Sequence, residues 1–381
     1  MTFAIRAGIL SQLSADFGLS DGQLGWVNSM AFLGFPVAMM IGGGLYNKFG
    51  AKKLLITAFI CHLLGLILTI TAVNFWGLII STFFIGFANG AVEAGCNPLI
   101  TQLYKDNKTT MLNRFHVWFP GGIVIGAIIS KLMTDAGLSW QLQIAVMLIP
   151  TAVYGFMVFK QQFPQVHQDL SASTMSNIKA MTQPLFIFML VCMTLTTTTE
   201  LGTQQWIDRI LSASGASPML IMAMITGVMA VGRYFAGPII HRFNPVGVLL
   251  ASAVISTAGI YCLSIATGSA VYFSALLFAV GVTYFWPTMI GFIAEYIPNT
   301  GALGLSIMGG AGMFAVSLWN PIIGQWIDGA RSAALLKTNN VVDAELLAGQ
   351  SVLSNLTVFP MILIVAFALL YLSMKKRGFE K

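Results

Sequence analysis

The chain has 381 residues, of which 57% are hydrophobic and only 8% charged, where a soluble domain carries roughly 25%. A water-soluble fold of this length could not hide so much apolar surface, so the solvent is lipid and a bilayer is the first partner. The formal charge of +6 does not imply nucleic acid, because the basic residues follow the membrane topology described below.

A spanning helix needs about 20 mostly apolar residues. The opening stretch, MTFAIRAGILSQLSADFGLS, is apolar at Phe3, Ala4, Ile5, Ile9, Leu10 and Leu13 but offers only 15 residues before Asp16. At ~1.5 Å per residue it reaches roughly 22 Å, short of a core of about 30 Å. It reads as the second half of a first helix whose beginning is absent from the sequence. No basic start with a small-residue cleavage site marks a signal peptide. Eleven full spans are predicted after it, near 22–46, 53–73, 76–103, 114–133, 140–160, 184–207, 218–240, 246–266, 270–294, 302–325 and 353–374.

With the start on the cytoplasmic side, the cytoplasmic segments hold Lys48, Lys52, Lys53, Lys105, Lys108, Arg114, Lys160, Lys179, Arg242, Lys375, Lys376, Arg377 and Lys381. The outer loops hold Lys131, Arg209, Arg331 and Lys337, while Arg6 and Arg233 lie within spans. This asymmetry fits the positive-inside rule. It places the protein in the cytoplasmic membrane with both termini cytoplasmic.

The chain repeats itself. GGGLYNKFGAKK follows the second span and GPIIHRFNP the eighth; Gly43, Asn47 and Lys48 recur in spacing as Gly237, His241 and Arg242. The predicted fold class is all-α and polytopic: two six-helix bundles in pseudo-twofold arrangement with a site between them. The expected boundaries are 1–160, a cytoplasmic linker 161–183, and 184–381.

Ionisable residues within spans are costly and usually face a cavity or a partner. Asn89, Glu93 and Asn97 recur at four-residue steps and form one polar stripe on the fourth span. Thr196, Glu200, Gln204 and Asp208 form a second stripe on the seventh. Each half thus offers one carboxylate to a central cavity, and such a carboxylate can take up and release a proton. The plainer alternative is that Glu93 pairs with Arg6 and Glu200 with Arg233, locking helices together. His116 reads either as a cavity residue or as a hydrogen-bonded core group, and His62 as structural. Trp206 and Trp286 either wall a site or simply pack; Trp76 and Trp140 read as interfacial anchors. Gly86, Gly90 and Gly95 permit close helix approach. FPGGIVIGA on the fifth span and IMGGAGMFAVSLWNP on the eleventh occupy matching places, with Pro120 and Pro321 permitting kinks.

GGGLYNKFGAKK resembles the loop signature of the major facilitator superfamily, with Asn47 where an aspartate is usual. Within that superfamily the sequence is most similar to the fucose–galactose–glucose proton symporter branch. EAGCNP resembles that branch's helix 4 motif, which sets Glu93 at its proton-carrying carboxylate. LNRFHVWFPGGIVIG resembles the helix 5 motif, with Asn113, Gly122 and Gly126 matching and His116 where a substrate-binding glutamine is usual. TTELGTQQW resembles the Glu-to-Trp spacing of helix 7, giving Glu200 and Trp206; FWPTM and MGG resemble the patterns of helices 10 and 11. The branch usually carries an aspartate on helix 1, where this chain has Arg6.

The resemblance implies a secondary transporter working by alternating access, moving a small polar solute, most fittingly a sugar, together with protons. Glu93 with Arg6 would couple the proton. Asn89, Asn97, Asn113, His116, Glu200, Gln204, Trp206, Trp286 and Arg233 would line the solute site. Gly43, Asn47, Lys48, Gly50, Lys52, Gly237 and Arg242 would form the gating loops. No cofactor, metal site or enzymatic activity is expected, and a monomer is. The alternatives are an organic-anion carrier using Arg6 and Arg233, a uniporter if Arg6 pairs permanently with Glu93, or a membrane sensor that kept the fold.

Overall fold

The computed structural model describes residues 1–164, 174–211 and 213–376. Among these the chain is helical without strands. Its passes are α1 (2–17), α2 (21–49), α3 (51–70), α4 (Phe75–Leu103), α5 (Lys108–Asp135), α6 (Trp140–Lys160), α7 (184–210), α8 (218–243), α9 (245–265), α10 (Ala270–Tyr296), α11 (Gly301–Leu335) and α12 (Val341–Lys376). The polar stretch between α6 and α7 contains a short helix, Thr174–Met181. The passes group into two six-helix bundles, and alternation of direction puts Lys48, Lys52, Lys108 and Arg242 on one face, called here the basic face.

Local chemistry sets the breaks. Ser20 starts α2 with a reciprocal cap: its hydroxyl accepts from Gln23 N at 3.2 Å and the Gln23 side chain accepts from Ser20 N at 3.0 Å. Between α2 and α3 the chain breaks at Gly50, with φ 69° and ψ 173°. Between α8 and α9 it breaks at Asn244, with φ 53° and ψ 165°. Each lies seven residues after its repeat glycine, Gly43 or Gly237. The sequence repeat is therefore also a repeat of an unusual backbone conformation. Glycine adopts it without a Cβ penalty; Asn244 tolerates it while its Oδ1 accepts from Gly247 N at 2.9 Å, capping α9.

Glycines bring backbones together within each bundle. A Cβ at Gly86 would collide with the backbone of Ala31, and one at Gly90 with that of Phe35, so α2 and α4 pack main chain to main chain. In the second bundle Gly259 meets the backbone of Phe278, and Gly281 that of Ser256, between α9 and α10.

The passes agree with the expected spans except that α5 begins at Lys108, ahead of the expected 114, and that the last two differ. Helix α11 runs on to Leu335 and α12 begins at Val341, beyond the expected 325 and ahead of the expected 353. Hydropathy stops short of these extensions because charged residues interrupt them, Asp328 and Arg331 on one and Asp343 and Glu345 on the other. Arg331 on one bonds Glu345 on the other at 2.5 Å, tying them together. Trp76 is 68% exposed, as an anchor should be. Trp140 is instead buried, donating from Nε1 to Asp16 Oδ2 at 2.8 Å.

Candidate functional site

The polar groups expected within spans converge where the bundles meet. On α4, Asn97 donates from Nδ2 to Glu93 Oε2 at 2.8 Å. Its Oδ1 lies 3.1 Å from His116 Nε2 on α5. The other ring nitrogen, Nδ1, lies 3.6 Å from Glu93 Oε1. All three side chains are buried. The hydrogen-bond directions constrain the protons. Asn97 uses its amide N–H on Glu93, so its oxygen needs a donor and His116 Nε2 must carry hydrogen. Nδ1 and Oε1 then face each other as two acceptors unless one proton lies on either of them. At 3.6 Å the pair lies within ion-pair range when His116 is protonated.

Arg233 on α8 joins this triad to the second bundle. It donates from a terminal nitrogen to Glu200 Oε1 at 3.1 Å, from Nε to the Thr283 carbonyl at 2.7 Å, and from the other terminal nitrogen to the His116 carbonyl at 3.5 Å. Both carbonyls are free for a reason legible in the chain. A helical carbonyl bonds the N–H four residues on, and the residues four on from His116 and Thr283 are Pro120 and Pro287, which have none. The prolines thus prepare two acceptors for one guanidinium, and the contact to His116 crosses between bundles. Glu200 sits in a π-helical turn, Thr198–Gly202, a deviation often found at functional sites.

Glu93, His116, Glu200, Arg233 and Trp286 surround a common space with Phe119, Leu201 and Met313. Its free volume is about 10 Å³, room for about one water, whereas ligand pockets run from roughly 300 Å³ upward. The bundles meet on both sides of it. Toward the basic face, Gly43 abuts Ser306 and Gly237 abuts Thr110 of the opposite bundle. Toward the other face, Ser29 donates to the Ser317 carbonyl at 2.9 Å, and that carbonyl too is freed by a proline, Pro321. The Trp286 indole lies beside Glu93 and against Phe35 of the first bundle.

The remaining expected residues lie outside this cluster. Asn89 faces His62, with Oδ1 3.0 Å from Nε2, and His62 Nδ1 is 2.7 Å from Tyr154 Oη. These three border a second space of about 1110 Å³, a groove of the first bundle open to the outside at Trp118 and Met157, which reaches Glu93 and His116. His62 therefore borders an open groove that its sequence position did not suggest. Asn113 bonds back to the Thr109 carbonyl at 2.9 Å. Gln204 turns to Met229 Sδ at 3.5 Å, and Trp206 is fully buried, donating to Asn320 Oδ1 at 3.1 Å. The Asp208 side chain lies outside the described residues, as do Arg377 and Lys381. Arg6 is buried, and it makes no ion pair with Glu93 or with any other carboxylate among the described residues. Lys52 donates to the Phe159 and Gln161 carbonyls at 3.4 and 3.1 Å, closing the end of α6. Lys48 and Arg242 lie over the rings of Phe49 and Phe243 at 5.4 and 5.6 Å, and Asn47 is exposed. Thr283, Phe119, Leu201 and Met313 were not anticipated. Only Thr283 carried a signal, the proline four residues on.

The family model of the Major Facilitator Superfamily matches residues 1–318. The chain belongs to the Major Facilitator Superfamily. A D-xylose transporter of Levilactobacillus brevis is 27% identical over 150 residues, 39% of this chain and 33% of that protein. The sphingosine-1-phosphate transporter SPNS2 of Danio rerio is 28% identical over 158 residues, 40% of this chain and 31% of its own. The matched stretch spans about a third of these curated relatives. Among solved structures, the E. coli fucose:proton symporter FucP superposes with a TM-score of 0.66 at 17% identity, covering 95% of each chain. The nucleoside transporter NupG gives 0.71 at 15% identity, covering 96% of each. At these identities the likeness is one of fold, the superfamily's two-bundle architecture.

Proposed function

We propose that this superfamily member is a secondary transporter that moves a small polar solute, most fittingly a sugar, together with protons by alternating access. The observation carrying this reading is the buried Glu93–Asn97–His116 triad, in which a carboxylate and an imidazole nitrogen lie 3.6 Å apart at the meeting of the bundles, placed to share a proton. In this reading that proton is the coupled one. Trp286, Glu200 and Arg233, all of the second bundle, supply the polar contacts for the solute as the central space widens. The likeness to a fucose:proton symporter fold and the partial match to a D-xylose transporter support a sugar as solute. We place the protein in the cytoplasmic membrane as a monomer, its basic face and termini inward, with bundles at 1–160 and 184–381 joined by 161–183.

One observation favours a second reading. Arg6 is buried without a carboxylate partner among the described residues, as an anion-binding residue of an organic-anion carrier would be. Arg233, by contrast, has its guanidinium engaged by Glu200 and two carbonyls.

The test is reconstitution into vesicles with an internal pH dye and a panel of hexoses, deoxyhexoses and small organic acids. A sugar-driven proton flux, abolished in Glu93→Gln while sugar counterflow persists, is the expected result. Uptake of an organic acid, with no proton movement for any sugar, would hand the site to Arg6.

A further inference from the structure

The groove of the first bundle has a depth, an opening and a charge that the central site does not use. It starts at the basic face beside Lys160, the last residue of α6, and ends at Glu93 and His116. Glu93 lies ten residues before Leu103, the end of α4, which is about 15 Å along a helix and half of a core of about 30 Å. The groove therefore runs the depth of one leaflet, from the headgroups to the midplane. Its long side is open toward lipid, because Trp118 on α5 and Phe156 and Met157 on α6 line it and are exposed. Val92, Cys96 and Phe119, all less exposed, line it further in. The polar groups of His62, Tyr154 and Asn89 along it bond one another. At the basic-face end Lys52 is held by the Phe159 and Gln161 carbonyls. Lys160 forms no ion pair among the described residues, and its Nζ lies 5.6 Å from the ring centre of Phe156.

We propose that this groove binds one anionic phospholipid of the surrounding bilayer, with the phosphate at Lys160 and one acyl chain lying along the groove to Glu93 and His116. An apolar wall with nothing against it forfeits its dispersion contacts, and water does not settle in an apolar space. An acyl chain is as apolar as the wall and reaches the opening from the side. Because the chain gains nothing by leaving other lipid, the headgroup decides which lipid stays. A lysine near the membrane surface attracts an anionic lipid strongly enough to change its occupancy about fivefold. A chain seated there covers the side of Glu93 and His116 turned toward the groove. The proposal rests on the membrane fold alone, and not on the identity of the solute or on proton coupling.

The experiment is photo-crosslinking of the reconstituted protein in phosphatidylcholine vesicles holding a trace of phosphatidylglycerol with a diazirine near the end of one acyl chain. The adducts are mapped by peptide mass spectrometry. Adducts are expected at Val92, Cys96 and Phe119, measured as a ratio to those at Val365, an exposed residue of α12 that ordinary bilayer lipid reaches. Lys160→Ala lowers that ratio about fivefold and Lys160→Arg keeps it, and a phosphatidylcholine probe falls about fivefold short in the parent. Val92→Phe, which fills the groove, removes the adducts at Cys96 and Phe119. Thermal midpoints near that of the parent keep these readings separate from a folding defect. Adducts at Val365 with none at the three groove residues overturn the proposal, as do equal ratios for the parent and Lys160→Ala or for the two probes. A crosslink joining Cys96 of two copies gives the groove to a second copy and overturns it as well. Because no solute is added, loss of the symport reading leaves this outcome untouched, and the converse also holds.

Discussion

Replacing Arg233 tests the interface between the bundles most directly. Arg233→Met keeps the length and apolar stem and removes the guanidinium. Glu200, only 3% exposed, loses its counter-charge at 3.1 Å, and the Thr283 and His116 carbonyls lose their donor. Neither carbonyl can return to its helix, because Pro287 and Pro120 offer no N–H. Removing one partner of a buried pair costs about 3–5 kcal/mol, since the remaining charge stays desolvated. Glu200→Gln in the same background removes that stranded charge, and the double variant should recover about 1–3 kcal/mol relative to the sum of the singles. Arg233→Lys should fall between, because an ammonium cannot present a fork to three separated acceptors. The assay is denaturant or thermal unfolding in detergent, run on parent, both singles and the double. Strict additivity, or an Arg233→Met variant as stable as the parent, would show that the pair seen here carries no coupling energy.

Two further substitutions probe the frame around the site. Gly50→Val should cost about 1–3 kcal/mol, because its φ of 69° excludes a branched side chain, whereas Asn244→Gly should leave stability level or slightly raised, trading relief of strain at φ 53° against the loss of a cap worth a few tenths of a kcal/mol; equal unfolding midpoints for Gly50→Val and parent would contradict this. Gly86→Val sets a side chain against the Ala31 backbone, which cannot yield as a side chain can. Its yield of monodisperse protein after size-exclusion chromatography should collapse, and a normal elution profile would argue against main-chain contact between α2 and α4.

Composition and patterning by themselves determined a great deal. A sequence that is 57% hydrophobic leaves no choice but lipid. The length of each apolar run fixes the passes, because the bilayer sets the helix length. The repeat at Gly43 and Gly237 announces two equivalent bundles, and four-residue steps put Glu93 and Asn97 on one face. What the sequence could not supply was partnership across chain distance. Arg6 was the nearest cation in expectation to Glu93, yet the carboxylate faces His116; Trp206 looked like a site wall and is locked to Asn320. Side-chain pairing inside a bundle depends on how helices rotate about their axes, and a π turn such as that at Glu200 changes that rotation without any mark in hydropathy. Prolines sit between the two levels of information. The sequence shows which carbonyls Pro120, Pro287 and Pro321 set free. Only tertiary packing decides that Arg233 and Ser29 come to take them, because a donor from another helix must arrive at the open acceptor.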